Sequence, residues 1–262
     1  MRDDQPSPWS ADASQTPLTI VVPTHGRIDV TLRFLESYRA QTRASRLIFI
    51  DDRSPDDTVK ILREQGETVL EPEQRLYFNG ILSLAIRSCT TAFLGVLNSD
   101  LILGRRFVER TLESFERSRS DFLVPITLEG SEATPANLER ERPFRILRMR
   151  RQQGWCMLFR TRSVQRLPEI PEELRLWYGD SWIFHHAWED GQRLGVMLHT
   201  PVIHQRHASI EGDATFKKTG AHPVIEQDKR IFAERYTWVT TKRLGPWRLV
   251  PGFVRRRIVP LG

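Results

Sequence analysis

The sequence has little cysteine, no long apolar run and no N-terminal region like the basic one of a signal peptide. Only Cys89 and Cys156 occur among 262 residues, too few for a disulfide-stapled scaffold or a multi-thiolate zinc module. No stretch reaches the roughly 18 uninterrupted apolar residues that a membrane-spanning helix requires. The first residues, MRDDQPSPWS, carry acids where a signal peptide carries basic residues. We therefore expect a soluble protein of a reducing, cytoplasmic compartment.

Acidic residues are absent from the end of the chain. Lys and Arg number 39, Asp and Glu number 33, the net charge is +6, and no acid follows Glu234. Six basic residues lie in the last segment: Lys242, Arg243, Arg248, Arg255, Arg256 and Arg257. They carry the whole excess, so residues 1–236 are balanced, which argues against a surface that coats nucleic acid. We expect any anionic partner to contact the C-terminus.

The two ends differ from the body in composition. Residues 1–16 are rich in Asp, Ser, Pro and Gln and are predicted to be a flexible tail. Residues 237–262 form a small basic extension, in which residues 242–258 mix arginine with apolar side chains and are interrupted by proline. This extension can lie peripherally on an anionic membrane surface, bind a partner or fold back on the domain, and the sequence leaves these alternatives open.

Strands and helices alternate over residues 17–127. Residues 18–24 and 47–52 are apolar runs that end in polar residues, as buried parallel strands do. Residues 29–41 between them have apolar side chains at helical spacing. Further strands are predicted over 68–72, 92–103 and 121–127, with helices over 58–66, 79–89 and 105–120. The pattern predicts an α/β fold, a Rossmann-like three-layer α/β/α sandwich with a mostly parallel sheet.

The alternation weakens after residue 127. Residues 129–151 are predicted to be a long polar loop, and a loop of this length in a compact domain usually has a function. Strands follow over 154–160 and 196–204, with helices near 162–167 and 180–191. We expect residues 17–236 to form one domain with two parts, residues 17–127 and residues 128–236.

Polar side chains follow three of the predicted strands. They lie at residues 24–27, at the pair Asp51 and Asp52, and at residues 98–100. In an open parallel sheet, ligands bind in the crevice outside the carboxyl ends of the strands. The sequence therefore predicts a ligand site at this edge.

Six segments together resemble a known family. In chain order they are VVPTHGR, FIDDRSPDDT, LNSDLIL, GWCMLFR, WYGDSW and HQRHAS, and they look like a GT-A glycosyltransferase of the family 2 type over about residues 17–210. The resemblance implies an inverting enzyme that moves a sugar from a UDP-, dTDP- or GDP-linked donor to a hydroxyl of a glycan, a lipid-linked or a small-molecule acceptor. The lack of a QxxRW-like motif after Asp180 favours a non-processive enzyme.

The resemblance implies that residues 17–127 are the nucleotide-binding half and residues 128–236 the acceptor or catalytic half, and it also assigns the nucleotide pocket. It implies that Thr24, His25, Arg27 and Asp52 contact the base and ribose, and a carboxylate suits this role because it accepts hydrogen bonds from a base N–H or ribose hydroxyls. The alternative for Asp51 and Asp52 is a pair of turn or helix-capping residues.

The resemblance also implies a divalent metal. Asn98, Ser99 and Asp100 occupy the place of the family's DxD motif, where Mn²⁺ or Mg²⁺ neutralises the diphosphate. Asn98 replaces the first acid and is assigned to the nucleotide pocket, so only Asp100 supplies a full charge. His204, the first histidine of an HxxH motif whose second is His207, matches a further metal ligand. The alternatives are a turn or capping role for Asp100 and a surface position for His207.

Asp180 matches the family's catalytic base. Sugar transfer needs a carboxylate to take the acceptor's proton, and a helix N-terminus favours the charged form. Here Gly179 stands where the family has Glu, and a plain capping role for Asp180 is the alternative. Glu189 and Asp190 are the reserve candidates for the base, at the far end of the same predicted helix. Trp155, Trp177 and Tyr178 can stack on an acceptor sugar or belong to the core.

Other classes fit less well. No strand is followed by the GxGxxG of a dehydrogenase or the GxxxxGK[ST] of a P-loop NTPase. The turn PTHGR lacks the glycine-rich, lysine-bearing pattern of a sugar nucleotidyltransferase. A degenerate, non-enzymatic scaffold that binds an anionic partner through its basic C-terminus stays open, and Asn98 is the feature that favours it.

Overall fold

The computed structural model describes Trp9 and residues 16–148, 154–205 and 222–241. Most of the predicted tail, His207 and the basic segment 242–258 lie outside these residues. Within them the strands are β1 (Leu18–Thr24), β2 (Arg46–Asp51), β3 (Val69–Leu70), β4 (Phe93–Leu97), β5 (Leu101–Leu103), β6 (Phe122–Leu128), β7 (Ile146–Arg148), β8 (Cys156–Arg160) and β9 (Leu194–His204). Trp9, in the predicted tail, packs against the core, and its carbonyl accepts a hydrogen bond from Thr90 Oγ1 at 2.6 Å.

The helices of the described residues connect these strands. They are α1 (Ile28–Arg39), α2 (Thr58–Glu64), α3 (Tyr77–Ser88), α4 (Phe107–Ser118), α5 (Pro135–Glu139), α6 (Thr161–Val164), α7 (Gly179–Glu189), α8 (Pro223–Arg235) and α9 (Thr237–Thr241). None of them is both long enough and apolar enough to pass through a lipid bilayer.

All strands belong to one sheet with the order β3-β2-β1-β4-β8-β6-β9-β5, and β7 pairs with β9. The pairs among β1, β2, β3 and β4 are parallel, so the carboxyl ends of these strands share one edge. β8 runs antiparallel between β4 and β6. The predicted α/β fold is confirmed, with the parallel part of the sheet in the first half of the chain.

The two faces of the sheet bury separate cores. Ile20 and Val22 of β1 pack with the apolar faces of α1, α2 and α4, whereas Val21 packs with α3, α7 and α8. This alternation follows from the strand geometry, because successive side chains point to opposite faces. The result is the three-layer arrangement that the sequence predicts.

Two predicted segments differ from the structure. Residues 92–103, predicted as one strand, form β4 and β5, because β4 pairs with β1 and β5 pairs with β9 and the chain must turn at residues 98–100 between the two partners. The predicted loop 129–151 contains a 3₁₀ turn at Gly130–Glu132, α5 and β7. Thr134 caps α5 by accepting from Asn137 N at 3.2 Å, and the local sequence carries no signal for the pairing of β7 with β9.

Candidate active site

A cleft of about 290 Å³ opens at the carboxyl ends of β1, β2 and β4. Both halves of the domain line it. The predicted site residues found in its lining are Thr24, His25, Asp52, Asn98, Trp155, Trp177, Tyr178 and Asp180. Within the part of the chain that the structure describes, Arg27, Asp100 and His204 are not among the lining residues. The structure thus brings together eight of the predicted residues.

Asp51 ties together the ends of β1 and β2. Its Oδ2 accepts hydrogen bonds from Thr24 Oγ1 at 3.0 Å and from Ser54 Oγ, and its Oδ1 accepts from Ser54 N at 2.8 Å. His25 Nδ1 lies 3.0 Å from Asp52 O. Because a carbonyl oxygen only accepts, Nδ1 carries the proton, and Nε2 is the acceptor nitrogen of the neutral ring. This turn fixes one wall of the cleft.

Asp52 holds the start of α3. Its Oδ1 accepts from Leu76 N at 2.6 Å and Tyr77 N at 3.1 Å, and its Oδ2 lies 3.2 Å from Arg75 Nε. The side chain is buried, with 4% of the residue exposed. The turn and capping geometry considered for both acids is therefore present, and Asp52 also lines the cleft.

The residues beside Asp52 are ones that the sequence analysis missed. Arg75 and Tyr77 line the cleft, the Arg75 guanidinium lies 4.5 Å from the centre of the Tyr77 ring, and Tyr77 has a positive φ of 56°. A left-handed backbone at a non-glycine residue is costly and is often retained at functional sites. The predicted helix began at residue 79, and nothing local to the sequence marks the two residues before it as part of the site.

Arg27 belongs to the start of α1. It occupies the N-cap position with a φ of 58°, and its guanidinium makes two hydrogen bonds to Asp29 at 3.0 and 3.1 Å. This bonding lowers the pKa of the Asp29 carboxyl. Both side chains are exposed, so Arg27 lies beside the cleft-forming turn and its side chain is engaged on the helix.

Asp100 and His204, the two predicted metal ligands, lie next to each other. β5 pairs with β9 so that Leu101 is opposite His204, and Asp100 Oδ1 lies 3.1 Å from His204 Nε2. Only 3% of Asp100 is exposed. The contact lacks hydrogen-bond geometry, and among the described residues Oδ1 has no hydrogen-bond partner. A buried carboxylate oxygen that accepts no hydrogen bond and lies beside an imidazole nitrogen is suited to binding a divalent cation together with that nitrogen.

Other ligands for that cation are few in the described residues. Over the ranges 16–148, 154–205 and 222–241, no group of three or more His, Cys, Asp or Glu side chains is arranged to hold a metal ion. Trp155 connects the pair to the cleft, because its ring lies over His204 with a centroid separation of 5.2 Å and its carbonyl accepts from Asn98 N at 2.9 Å. Oxygen atoms of a bound diphosphate would complete such a coordination shell.

Asp180 lies in the first turn of α7, at the other wall of the cleft. Its Oδ1 accepts from Ser181 N at 2.7 Å, and the residue is half-buried. A Cβ built on Gly154 would lie 2.9 Å from Asp180 Cβ, so the two backbones approach closely. The positive end of the α7 dipole favours a negative charge at this position.

The glycine before Asp180 has a steric cause. A Cβ on Gly179 would lie 2.1 Å from Oδ1 of the buried Asn79 in α3. A side chain at position 179 therefore requires Asn79 to move, which favours glycine where the family motif has glutamate. Gly179, which differs from the family motif, is thus in steric contact with Asn79, a residue that the sequence did not single out.

The mixed sheet with this cleft at its parallel edge is the GT-A glycosyltransferase fold. The family model described as glycosyl transferase family 2 matches residues 19–166. The chain therefore belongs to glycosyl transferase family 2, and the resemblance found in the sequence is confirmed. Asp180 and His204 lie beyond the matched residues.

Solved structures share the fold at low sequence identity. GalNAc-T7 with UDP, GalNAc and Mn²⁺ is 15% identical with a TM-score of 0.64, over 87% of this chain and 50% of that chain. The mannosyltransferase PcManGT from Pyrobaculum calidifontis with GDP-Man and Mn²⁺ is 14% identical with a TM-score of 0.58, over 79% of this chain and 62% of that chain. TarS 1-349 from S. aureus is 14% identical with a TM-score of 0.60, over 88% and 76%.

This chain thus spans half of the length of GalNAc-T7 and less than two thirds of that of PcManGT. No curated protein matches it in sequence. At these identities the likeness to solved structures shows the fold alone.

Proposed function

We propose that the protein is a metal-dependent, inverting, non-processive glycosyltransferase that moves a sugar from a nucleotide donor to an acceptor hydroxyl. The observation that carries the proposal is the cleft itself. It is lined on one side by the polar turn after β1 and β2 and on the other by Asp180, in a chain of glycosyl transferase family 2. A donor bound at the first wall would place its sugar between that wall and Asp180, where an acceptor hydroxyl can approach.

The nucleotide of the donor lies against the first wall. In this proposal Thr24, His25, Asp52 and Asn98 contact the base and ribose, with Arg27 at the entrance. UDP-, dTDP- and GDP-sugars are the candidate donors. Support comes from structures of the same fold that contain UDP or GDP-Man, and from TarS 1-349 in complex with UDP-GlcNAc.

Asp100 and His204 are the proposed metal ligands. Mn²⁺ or Mg²⁺ bound there would neutralise the charge of the leaving nucleoside diphosphate. The support is the contact of 3.1 Å between Asp100 Oδ1 and His204 Nε2, in which Asp100 Oδ1 accepts no hydrogen bond from the described residues, together with the Mn²⁺ in GalNAc-T7 and PcManGT.

Asp180 acts as the general base. Its carboxylate takes the proton of the acceptor hydroxyl as the hydroxyl oxygen bonds to the anomeric carbon, and the bond from that carbon to the diphosphate oxygen breaks. Attack from the side opposite the leaving group inverts the anomeric configuration. The proton ends on Asp180, and the bonding electrons leave with the nucleoside diphosphate.

The acceptor lies near Trp155, Trp177 and Tyr178. Of these, Trp177 is the most exposed, at 38%. The Tyr178 ring is stacked on Phe232 at 4.0 Å between centroids, so one of its faces is covered. Lys229 Nζ lies 5.0 Å from the centre of the Trp177 ring, so it is the greater exposure of Trp177 that makes it the preferred surface for stacking on the C–H face of a sugar.

Asp180→Asn tests the proposal, with Asp190→Asn as its control. Asp190 caps the opposite end of the same helix, so the control makes the same chemical change away from the cleft. Donor binding is measured as the thermal shift produced by UDP-, dTDP- and GDP-sugars with and without Mn²⁺. We expect Asp180→Asn to bind its donor normally and to lose transfer by about 10²–10⁴-fold. Transfer at the wild-type rate in Asp180→Asn would contradict the base assignment.

A second candidate function is a degenerate scaffold that binds an anionic partner or a membrane through its basic C-terminus. Asn98 in place of the first acid of the motif favours it. It predicts nucleotide binding without turnover for every donor tested. The basic segment 242–258 would then mediate peripheral contact with an anionic membrane in a cytoplasmic protein, and binding would weaken steeply with salt.

A further inference from the structure

We propose that α8 and α3 position the catalytic carboxylate by clamping the backbone just before it, with Asp228 and Asn79 as the positioning residues. The backbone concerned is residues 174–178, named here the base loop. It leads directly into Gly179 and Asp180. The proposal rests on the function proposed above, because it assumes that Asp180 is the base.

Asp228 of α8 binds the amide groups of the base loop. Its Oδ1 accepts from Arg175 N at 3.1 Å, and its Oδ2 accepts from Leu176 N at 2.7 Å and Trp177 N at 2.8 Å. The residue is 0% exposed. A buried carboxylate with three charge-assisted hydrogen bonds to consecutive amides fixes the position of that backbone strongly.

Asn79 of α3 binds the carbonyl groups of the same loop. Its Nδ2 donates to Leu174 O and Trp177 O, both at 2.9 Å, and its backbone N donates to Arg175 O at 2.9 Å. Amides and carbonyls of the loop are thus satisfied by different helices. Because the loop is held from two sides, neither helix can move without moving the backbone that enters α7.

The end of the base loop is held as well. Tyr178 has a positive φ of 66° and forms the N-cap of α7, a costly conformation that packing has to maintain. Its ring stacks on Phe232, one helical turn after Asp228 on α8, with planes 10° apart. Gly179 lies against Asn79. The clamp therefore reaches to within one residue of Asp180.

The clamp is connected to the nucleotide wall of the cleft. Asp52 holds the first amides of α3 through Leu76 and Tyr77, and Asn79 follows two residues later on the same helix. Hydrogen bonds and short stretches of backbone thus link the nucleotide wall to the base loop, which leads into Asp180. Removing the hydrogen bonds from Asp228 of α8 to the base loop should change the orientation of Asp180 without changing the nucleotide contacts. We therefore expect a lower kcat and an unchanged KM for the donor.

The test compares Asp228→Asn with Asp121→Asn. Asp121 also accepts hydrogen bonds from a backbone amide, Arg193 N at 2.9 Å, and from a side chain, Ser163 Oγ at 2.7 Å, but it precedes β6 at the opposite end of the sheet. Two quantities are measured for the full chain: amide hydrogen exchange over residues 172–181, and the kcat and KM for the nucleotide sugar that the wild type uses. Phe232→Leu, which keeps an apolar side chain but loses the stack on Tyr178, is the milder second variant.

We expect faster exchange of the base-loop amides in Asp228→Asn, and a kcat lower by about 10- to 100-fold with a donor KM within about twofold of wild type. Phe232→Leu should show the same pattern more weakly, and Asp121→Asn should show neither change. Unchanged exchange in Asp228→Asn would overturn the clamp whatever the activity. Faster exchange with an unchanged kcat, or an equal kcat loss in Asp121→Asn, would overturn the positioning role. A wild type that binds a nucleotide sugar but turns none over would overturn the proposed function, while the exchange result would still decide the clamp.

Discussion

Replacing Gly179 by alanine should destabilise the wild type and stabilise an Asn79→Ala background. The added Cβ would lie 2.1 Å from Asn79 Oδ1 and 2.6 Å from its Cγ. Asn79 would have to shift by about 1 Å to restore an ordinary contact, which stretches its bonds to the base loop beyond hydrogen-bond length. Overpacking of this kind costs about 1–3 kcal/mol.

The sign should reverse when Asn79 is alanine. The three atoms nearest to the added Cβ all belong to the Asn79 side chain, so Asn79→Ala removes the clash. Gly179 lies in a helix without a positive φ, where alanine is better than glycine by up to about 1 kcal/mol. The two substitutions should therefore show a coupling energy of about 1–3 kcal/mol. Asn79→Ala alone should be destabilising, because it leaves two loop carbonyls without their donors.

Urea unfolding monitored by tryptophan fluorescence measures the four proteins of this cycle, with the free energy taken from the midpoint at a common slope. Gly179→Ala combined with Val108→Ala is the control, since Val108 lies in the core on the other face of the sheet and the two should be additive. Additivity of Gly179→Ala and Asn79→Ala to within about 0.5 kcal/mol would refute the steric reasoning.

Two further predictions concern the metal pair and pH. Asp100→Ala should remove the Mn²⁺-dependent part of the thermal shift given by the donor while leaving the metal-independent part, and an Mn²⁺ effect equal to wild type would contradict the ligand assignment. Burial lowers the pKa of His199 below its ordinary value of 6.5, so the folded state favours the neutral ring. Its contribution to stability is therefore full above the unfolded pKa and is lost as pH falls through and below it. His199→Gln should reduce the difference in unfolding free energy between about pH 7.5 and about pH 5.5, and an unchanged difference would contradict this account.

The sequence predicts the parallel half of the fold well because the signal there is local. Residues 18–24 form a continuous apolar run and are β1 over their whole length. Residues 92–103 are predicted as one strand, yet the polar residues 98–100 interrupt them and they form two strands whose partners, β1 and β9, lie far away in the chain. Local patterns cannot specify which strand an apolar run will pair with.

In the candidate site, too, the residues in local sequence motifs were predictable and those that act through long-range contacts were not. Asp52 and Asp180 stand in recognisable motifs, and both line the cleft. Asn79 and Asp228 stand in no motif, and their hydrogen bonds reach backbone atoms more than 50 residues away. Such contacts depend on how helices pack, so only the folded chain reveals them.

The antiparallel insertion of β8 between β4 and β6 has a mechanical consequence. The register joins Leu97 of β4 to Cys156 and Leu123 of β6 to Leu158, so strands from both halves of the domain belong to one hydrogen-bonded sheet beneath the cleft. Because they share this sheet, the two halves of the domain cannot rotate about a hinge as separate bodies. Substrates must then be admitted by loop motion around a rigid floor, and the radius of gyration should stay constant when a nucleotide binds.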